Sequence, residues 1–382
     1  MNYDITAAQM LKIIKAVISG EKVNIASMDI DWDGMYTLTE YHSLTNLIAY
    51  AIDNTVPEEV ADRFSKHSSL AFARYMKYDY ETKEICRIFE EKKIPYMLLK
   101  GFIMKDYYPS PEMRTMCDVD ILVKPEDLDA IETIMTERGY TKLKLERDDE
   151  VTYQKKPLLS YEMHVQLVSK SHRKIFDYYG NGWQLAKKDT DYGYKMSDED
   201  FFVFLIAHFA KHYRTAGVGV RPVIDIWLYL KKFRNKLDWS YIDKELDKLE
   251  MKEFAYNLFK LSDYWFEGAN AEKKIADMSS YVLTSGIYGN VVNDGRTKKL
   301  RNEAKNNAFT KYFKAVFLDY NSMVGMFPNI KKCPLLIVYY WIKRLVVKIF
   351  DGSGTRYMEI QKEMSTENAN ITKNHFEDIG LQ

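Results

Sequence analysis

Apolar positions along the chain change their period twice. Over the first ninety residues they recur at helical spacing: Leu11, Ile13, Ile14 and Val17 mark one helix, which Gly20 is placed to stop. A second helix is predicted over about 36–53 and a long third one over about 58–92. In the third, Leu70, Phe72, Tyr75, Ile85 and Phe89 are expected to form one broad buried stripe. Pro95 ends that pattern, and the runs then shorten. Tyr96-Met97-Leu98-Leu99 reads as a buried strand turning at Lys100-Gly101 into a helix. Asp118-Val119-Asp120-Ile121-Leu122-Val123 alternates and is rich in β-branched residues, which predicts a second strand. A helix opened by Pro125 and closed by Gly139 follows, then strands over 140–145, 151–154 and 160–168. From Ser197 the helical period returns. Ser197 and Asp200 form a capping pair for a helix over 201–213, and Pro222 suits the first turn of a helix over 223–233. Further helices fit 241–249, 252–266 and 335–350, and the stretch after Gly352 is polar.

These elements predict an α+β protein: a helical region over 1–92, a small mixed-sheet unit over 93–195, a helical domain over 196–350 and a polar tail over 351–382. A chain of 382 residues with 46% hydrophobic and 29% charged residues has the balance of a globular protein and not of a disordered one. Lys and Arg together number 55, and so do Asp and Glu; the resulting zero net charge removes the bulk attraction that nucleic-acid binders use, so no stable nucleic-acid partner is expected. Cys86, Cys117 and Cys333 are too scattered for a disulfide framework or a cysteine zinc site. The first residues lack a secretory pattern, and the apolar stretch 333–342 is too short to span a bilayer before Lys343 and Arg344. That stretch is expected to pack as core, and the protein to be cytoplasmic.

The candidate chemistry centres on the second strand. Side chains alternate, so Asp118, Asp120 and Leu122 share one face while Val119, Ile121 and Val123 face the core. The two carboxylates would then stand ~7 Å apart along the strand. Their repulsion is relieved most simply by a shared divalent cation, and oxygen ligands suit Mg²⁺ (or Mn²⁺). Upstream, Gly101 and a helix start offer free N–H groups to a phosphate, with Lys100 adding a positive charge. Downstream, Glu162 and His164 share a face of another strand. If that strand lies beside the first, Glu162 supplies a third carboxylate, and three carboxylates can hold the two metal ions of in-line phosphoryl transfer.

In this order the motifs resemble a known family. Leu98-Leu99-Lys100-Gly101, Tyr108-Pro109-Ser110-Pro111-Glu112-Met113-Arg114, the Asp118–Val123 strand and Glu162-Met163-His164 are similar to the uncharacterised nucleotidyltransferases of the family 5 type, within the polymerase-β-like superfold. Asp31-Trp32, the segment from His208 to His212 and Gly219-Val220-Arg221-Pro222-Val223-Ile224-Asp225 extend the resemblance over most of 30–350. It implies metal-dependent transfer of a nucleoside monophosphate from an NTP to an unidentified acceptor hydroxyl. Asp118 and Asp120 would bind both metals, Glu162 the metal that activates the nucleophile, and Gly101 with its helix would cradle the triphosphate. One departure is Phe102, where the superfold usually places Ser. Lys100 or Arg114 must then compensate at the phosphates. The alternatives are a glycosyltransferase using Asp118-Val119-Asp120 as its metal grip, and a silent nucleotide-binding or regulatory module.

Other residues carry competing readings. Arg114 either neutralises a phosphate or pairs with the nearby acids, and His164 either supports the acids or is a sheet histidine. His208, Lys211 and His212 fall on one helix face, which is read as a polar wall turned toward the nucleotide; no third ligand supports zinc. Arg221 joins the nucleotide-binding candidates, although a turn away from Asp225 it also reads as an ion pair. Asp29-x-Asp31-x-Asp33-Gly34-x₅-Glu40 satisfies a calcium-loop pattern, yet Ile30 and Trp32 are wrong for it, and helix capping by Asp31 or Asp33 is expected instead.

Overall fold

The computed structural model describes residues 3–143, 149–157, 159–287 and 289–300, together with 318, 320, 323, 327–331, 334, 336–350, 363–364 and 366–381. Four helices come first: α1 (Tyr3–Ser19), α2 (Trp32–Tyr41), α3 (Thr45–Ala49) and α4 (Glu58–Lys92). The helix expected over 36–53 is thus two, broken at Ser43, whose φ of 53° lies in the left-handed region. Asp31 accepts from the Gly34 amide at 2.9 Å and caps α2, and Asp33 is held by Arg63, so this segment is a capped helix start.

A mixed sheet follows, with strands β1 (Tyr96–Leu98), β2 (Val119–Val123), β3 (Thr141–Lys142), β4 (Glu150–Lys155), β5 (Leu159–His164), β6 (Lys187–Lys188) and β7 (Gly193–Lys195) in the order β3-β4-β5-β2-β1-β7-β6. Strands β2 and β5 run parallel, as do β1 and β7; β1 and β2 are antiparallel. The β6–β7 hairpin was not anticipated, because it is too short and polar to show a period. Three helices interrupt the sheet: α5 (Lys100–Met104), α6 (Leu128–Glu137) and α7 (Arg173–Tyr179). The C-terminal helices are α8 (Asp198–Thr215), α9 (Arg221–Phe233), α10 (Trp239–Lys248), α11 (Lys252–Phe266), α12 (Lys273–Ser285), α13 (Val291–Leu300), α14 (Leu336–Phe350) and α15 (Thr366–Asp378).

The two faces of the sheet are covered differently. Val119, Ile121 and Val123 pack behind it with Ile85 and Phe89 of α4 and Ile131 and Met135 of α6. The long helix buries Phe64, Ala71, Tyr78, Thr82, Ile85 and Phe89, while Leu70 and Phe72 are exposed. The expected stripe was therefore displaced in its first half: apolar residues lie on several faces of α4, and the partners it meets select which face is buried. In front of the sheet, Met97, Leu99 and Leu122 join a core that runs from α1 through α8, α9 and α11 to Leu381. Ser197 caps α8 as expected, accepting from the Asp200 amide at 3.1 Å.

Two expectations for the C-terminal third fail. Within the stretch expected as a polar tail, α15 buries Ala369, Thr372 and Phe376, and the Asn257 side chain donates to the Ile379 carbonyl. The helical spacing of these few apolar positions suffices to dock it. In α14, Val338, Tyr339 and Ile342 are exposed and are not core, although Tyr340 stacks on Phe327. Among the described residues no helix is long and apolar enough to cross a membrane. Cys86 and Cys117 are free thiols, and Cys333 lies outside the described residues.

Candidate active site

The parallel β2–β5 pairing determines the site. Its register sets Asp120 opposite Glu162 and Leu122 opposite His164, so Asp120, Glu162 and His164 rise from the same face of adjacent strands. Tyr78 of α4 fixes this pairing from behind: its hydroxyl donates to the Cys117 carbonyl just before β2 (2.7 Å) and accepts from the Ser160 amide at the start of β5 (3.0 Å). On the other side, the Leu99 amide donates to the Asp120 carbonyl at 3.0 Å and starts α5 at Lys100. Lys100 itself has a φ of 25°, a strained value for a side chain with a Cβ.

Ligating atoms of Asp120, Glu162 and His164 all lie within 4.8 Å of one another. Lys100 Nζ meets Asp120 Oδ2 at 3.1 Å, and His164 Nε2 donates to Asp120 Oδ1 at 2.9 Å. His164 Nε2 also lies 3.6 Å from Glu162 and 3.7 Å from Glu150. Burial alone would raise the Asp120 pKa, but Lys100 and His164 outweigh it and hold the carboxyl far below the usual range. Burial opposes charge on His164, yet its hydrogen bonds to Asp120 and Glu162 lift it to about 9. Asp118, half-buried, is pushed up to about 6 by burial and then by the charges of Asp120 and Glu162. Lys100 is raised because Asp120 and Asp118 overcome its burial.

The donor set fits a divalent cation. The side chains placed to share a metal ion are Asp120, Glu162 and His164, and Asp118 lies near enough that, after burial, the charges of Asp120 and Glu162 push it toward its protonated form. His164, protonated and bonded to Asp120, orients that carboxylate.

Helix α8 forms the facing wall. His208 and His212 stack edge to face with centroids 4.5 Å apart. Burial and then the Lys100 charge keep His208 well below its ordinary value, and its Nδ1 has no hydrogen-bond partner. Half-buried Lys211 is brought down to about 8 by burial and Lys100. His212 meets solvent at the rim, and the neighbouring Lys211 charge works to lower it.

Two expected nucleotide ligands lie elsewhere. Arg114 does not pair with the strand acids; Nε and Nη2 hold the two oxygens of Asp225 at 2.9 and 2.8 Å, and Nη1 donates to the Gly101 carbonyl at 3.3 Å. Tyr108 donates to the same Asp225 at 2.9 Å. Arg221 therefore has no ion pair with Asp225 and instead donates to the Ser43 carbonyl and Thr115 Oγ1. What approaches Gly101 most closely is the Arg114 guanidinium: a Cβ there would meet Nη1 at 3.0 Å. Both arginines thus brace the loop that carries Asp118. Glu150 was missed; it is buried and opposite His164. The alternation of Glu150 and Thr152 against Val151 and Tyr153 carried that signal.

A carboxylate pair at the start of one strand, a third acid on its parallel neighbour and a lysine-glycine turn into a helix thus lie together on one face of the sheet, and it is the family match that makes the protein a transferase of phosphorus-containing groups. The family described as "Uncharacterised nucleotidyltransferase" matches residues 28–267, and the chain belongs to that nucleotidyltransferase family. No curated protein and no solved structure matches it.

Proposed function

We propose that the protein transfers a nucleoside monophosphate from an NTP to an acceptor hydroxyl, with Asp118, Asp120 and Glu162 holding Mg²⁺ (or Mn²⁺). The observation that carries this reading is the parallel register bringing Glu162 beside Asp120. Cations held by these three acids would supply charge neutralisation at the phosphates and would lower the pKa of the acceptor hydroxyl. Lys100 and His164 hold both oxygens of Asp120 in place, so that carboxylate loses little freedom on binding. Lys100 and the Gly101 turn face the polyphosphate, and the His208–Lys211–His212 wall closes the cleft over the nucleotide. Within this scheme 93–195 is the catalytic unit, and the helices before and after it supply the braces and the wall.

One observation favours a second reading. Lys100 already occupies an oxygen of Asp120, as a resident cation would, and a protein that binds nucleotide without turnover would keep that pair. Calorimetric titration of Mg²⁺ and ATP separates the two. Metal-dependent binding that disappears in Asp118→Ala and Asp120→Ala, with labelled nucleotide appearing on a cellular acceptor, supports transfer. Binding indifferent to metal sinks it.

A further inference from the structure

Helix α14 turns an apolar face outward. Val338 and Ile342 are one turn apart with Tyr339 beside them, and the three are 51, 56 and 57% exposed. The helix is held from its other side. Tyr340 stacks on Phe327 with ring centroids 4.1 Å apart, and Trp341 Nε1 donates to the Leu318 carbonyl at 3.1 Å. In the sequence, Val346 and Ile349 continue the helical spacing of Val338 and Ile342. Exposed Lys343 follows the face and makes no ion pair with a described residue. Single exposed apolar side chains are ordinary, but neighbours grouped on one helix face mark a surface that meets something.

The charge of the same part of the chain is one-sided. Between Lys298 and Phe350 there are eleven Lys and Arg against two acids, Glu303 and Asp319. The basic residues include the adjacent pairs Lys298-Lys299, Lys331-Lys332 and Lys343-Arg344. Because the chain as a whole sums to zero, the remainder is net acidic, and the positive charge is concentrated here. An occupant of this face is therefore anionic at its surface and apolar just beneath.

A bilayer containing anionic lipids has that layering. Nucleic acid offers the charge but no apolar depth for Val338 and Ile342. A second copy would bring two segments of like charge together. With 15 residues, α14 is too short to cross a hydrocarbon core of ~30 Å. We propose that α14 docks the protein on an anionic membrane surface, lying in the plane of the interface. Val338, Tyr339 and Ile342 enter the headgroup layer, and the basic residues around them face the lipid phosphates. This inference is independent of the nucleotidyl-transfer reading.

The test is cosedimentation of the full chain with phosphatidylcholine vesicles, either plain or containing about 30% phosphatidylserine. The anionic vesicles are expected to bind at least about tenfold more tightly, and high salt should remove most of that preference. Ile342→Asp and Val338→Asp should each weaken binding about tenfold, and Lys343→Ala about fivefold. The midpoint of chemical unfolding should not move in any of the three, since these side chains are exposed. No binding to anionic vesicles, equal binding to both kinds, or indifference to Ile342→Asp and Val338→Asp would each overturn the proposal. So would a short RNA that binds more tightly than the vesicles. A dimer in light scattering that Ile342→Asp dissolves would also overturn it, by making a second copy the occupant.

Discussion

Two charged clusters lie on either side of Gly101, and they are matched very differently. Around Asp225 the accounts close: two nitrogens of Arg114 meet its two oxygens, Tyr108 adds a third hydrogen bond, and both charged side chains are largely buried. Around Asp120 they do not. Lys100 and His164 face Asp118, Asp120, Glu162 and Glu150, leaving more carboxylates than cations. The first cluster is complete as it stands and serves the fold. The second has room for further positive charge, which is where the proposed cation would sit.

Substitutions in each cluster should separate stability from activity. The largest effect is expected from Asp225→Ala, which leaves the buried Arg114 guanidinium uncompensated and should cost about 3–5 kcal/mol in chemical denaturation. An unchanged midpoint would mean that the pair braces nothing. Asp120→Asn keeps the shape of the other cluster and should lower nucleotide transfer by about 10²–10³-fold, with a much smaller change in unfolding free energy. A variant that lost stability in proportion to activity would erase the distinction between the clusters.

Acid should act on one cluster only. Asp118, raised to about 6 from its unfolded value, binds its proton more tightly in the folded protein, and a cation requires it ionised. Cation affinity should therefore fall about tenfold per pH unit below 6 and level off above it, while Arg114 stays charged throughout. Calorimetry across pH 5 to 8 in wild type and Asp118→Asn checks this, because the variant should lose the inflection. The smallest effect belongs to Gly101→Ala. Its Cβ crowds Arg114 Nη1, an overpacking cost of about 1–3 kcal/mol, and helix propensity returns about 1 kcal/mol. A net loss of about 1 kcal/mol in thermal or chemical unfolding is expected.

Much of the candidate site was legible because it is local. The alternation through Asp118–Val123 determines which side chains share a face, whatever packs behind them, and a lysine-glycine step after a strand is a turn in almost any context. The helices at 252–266 and from Ser197 onward were legible for the same reason: their periods and caps are written within a few residues. The β6–β7 hairpin was not, since two- and three-residue strands hold too little pattern, and β7 exists only by pairing with β1.

What tertiary structure alone decided is which charge meets which. Arg114 lies four residues from Asp118 in the chain yet binds an aspartate 111 positions away, because α9 brings Asp225 under the loop and a bidentate geometry outcompetes a closer neighbour. Likewise Glu162 becomes a partner of Asp120 through a parallel register that Tyr78 of α4 pins from the far side. By itself the sequence determined the strands, the turn and the acids they carry. Pairings across long separations depend on burial and hydrogen bonding by elements remote in the chain, and only the folded molecule assembles those.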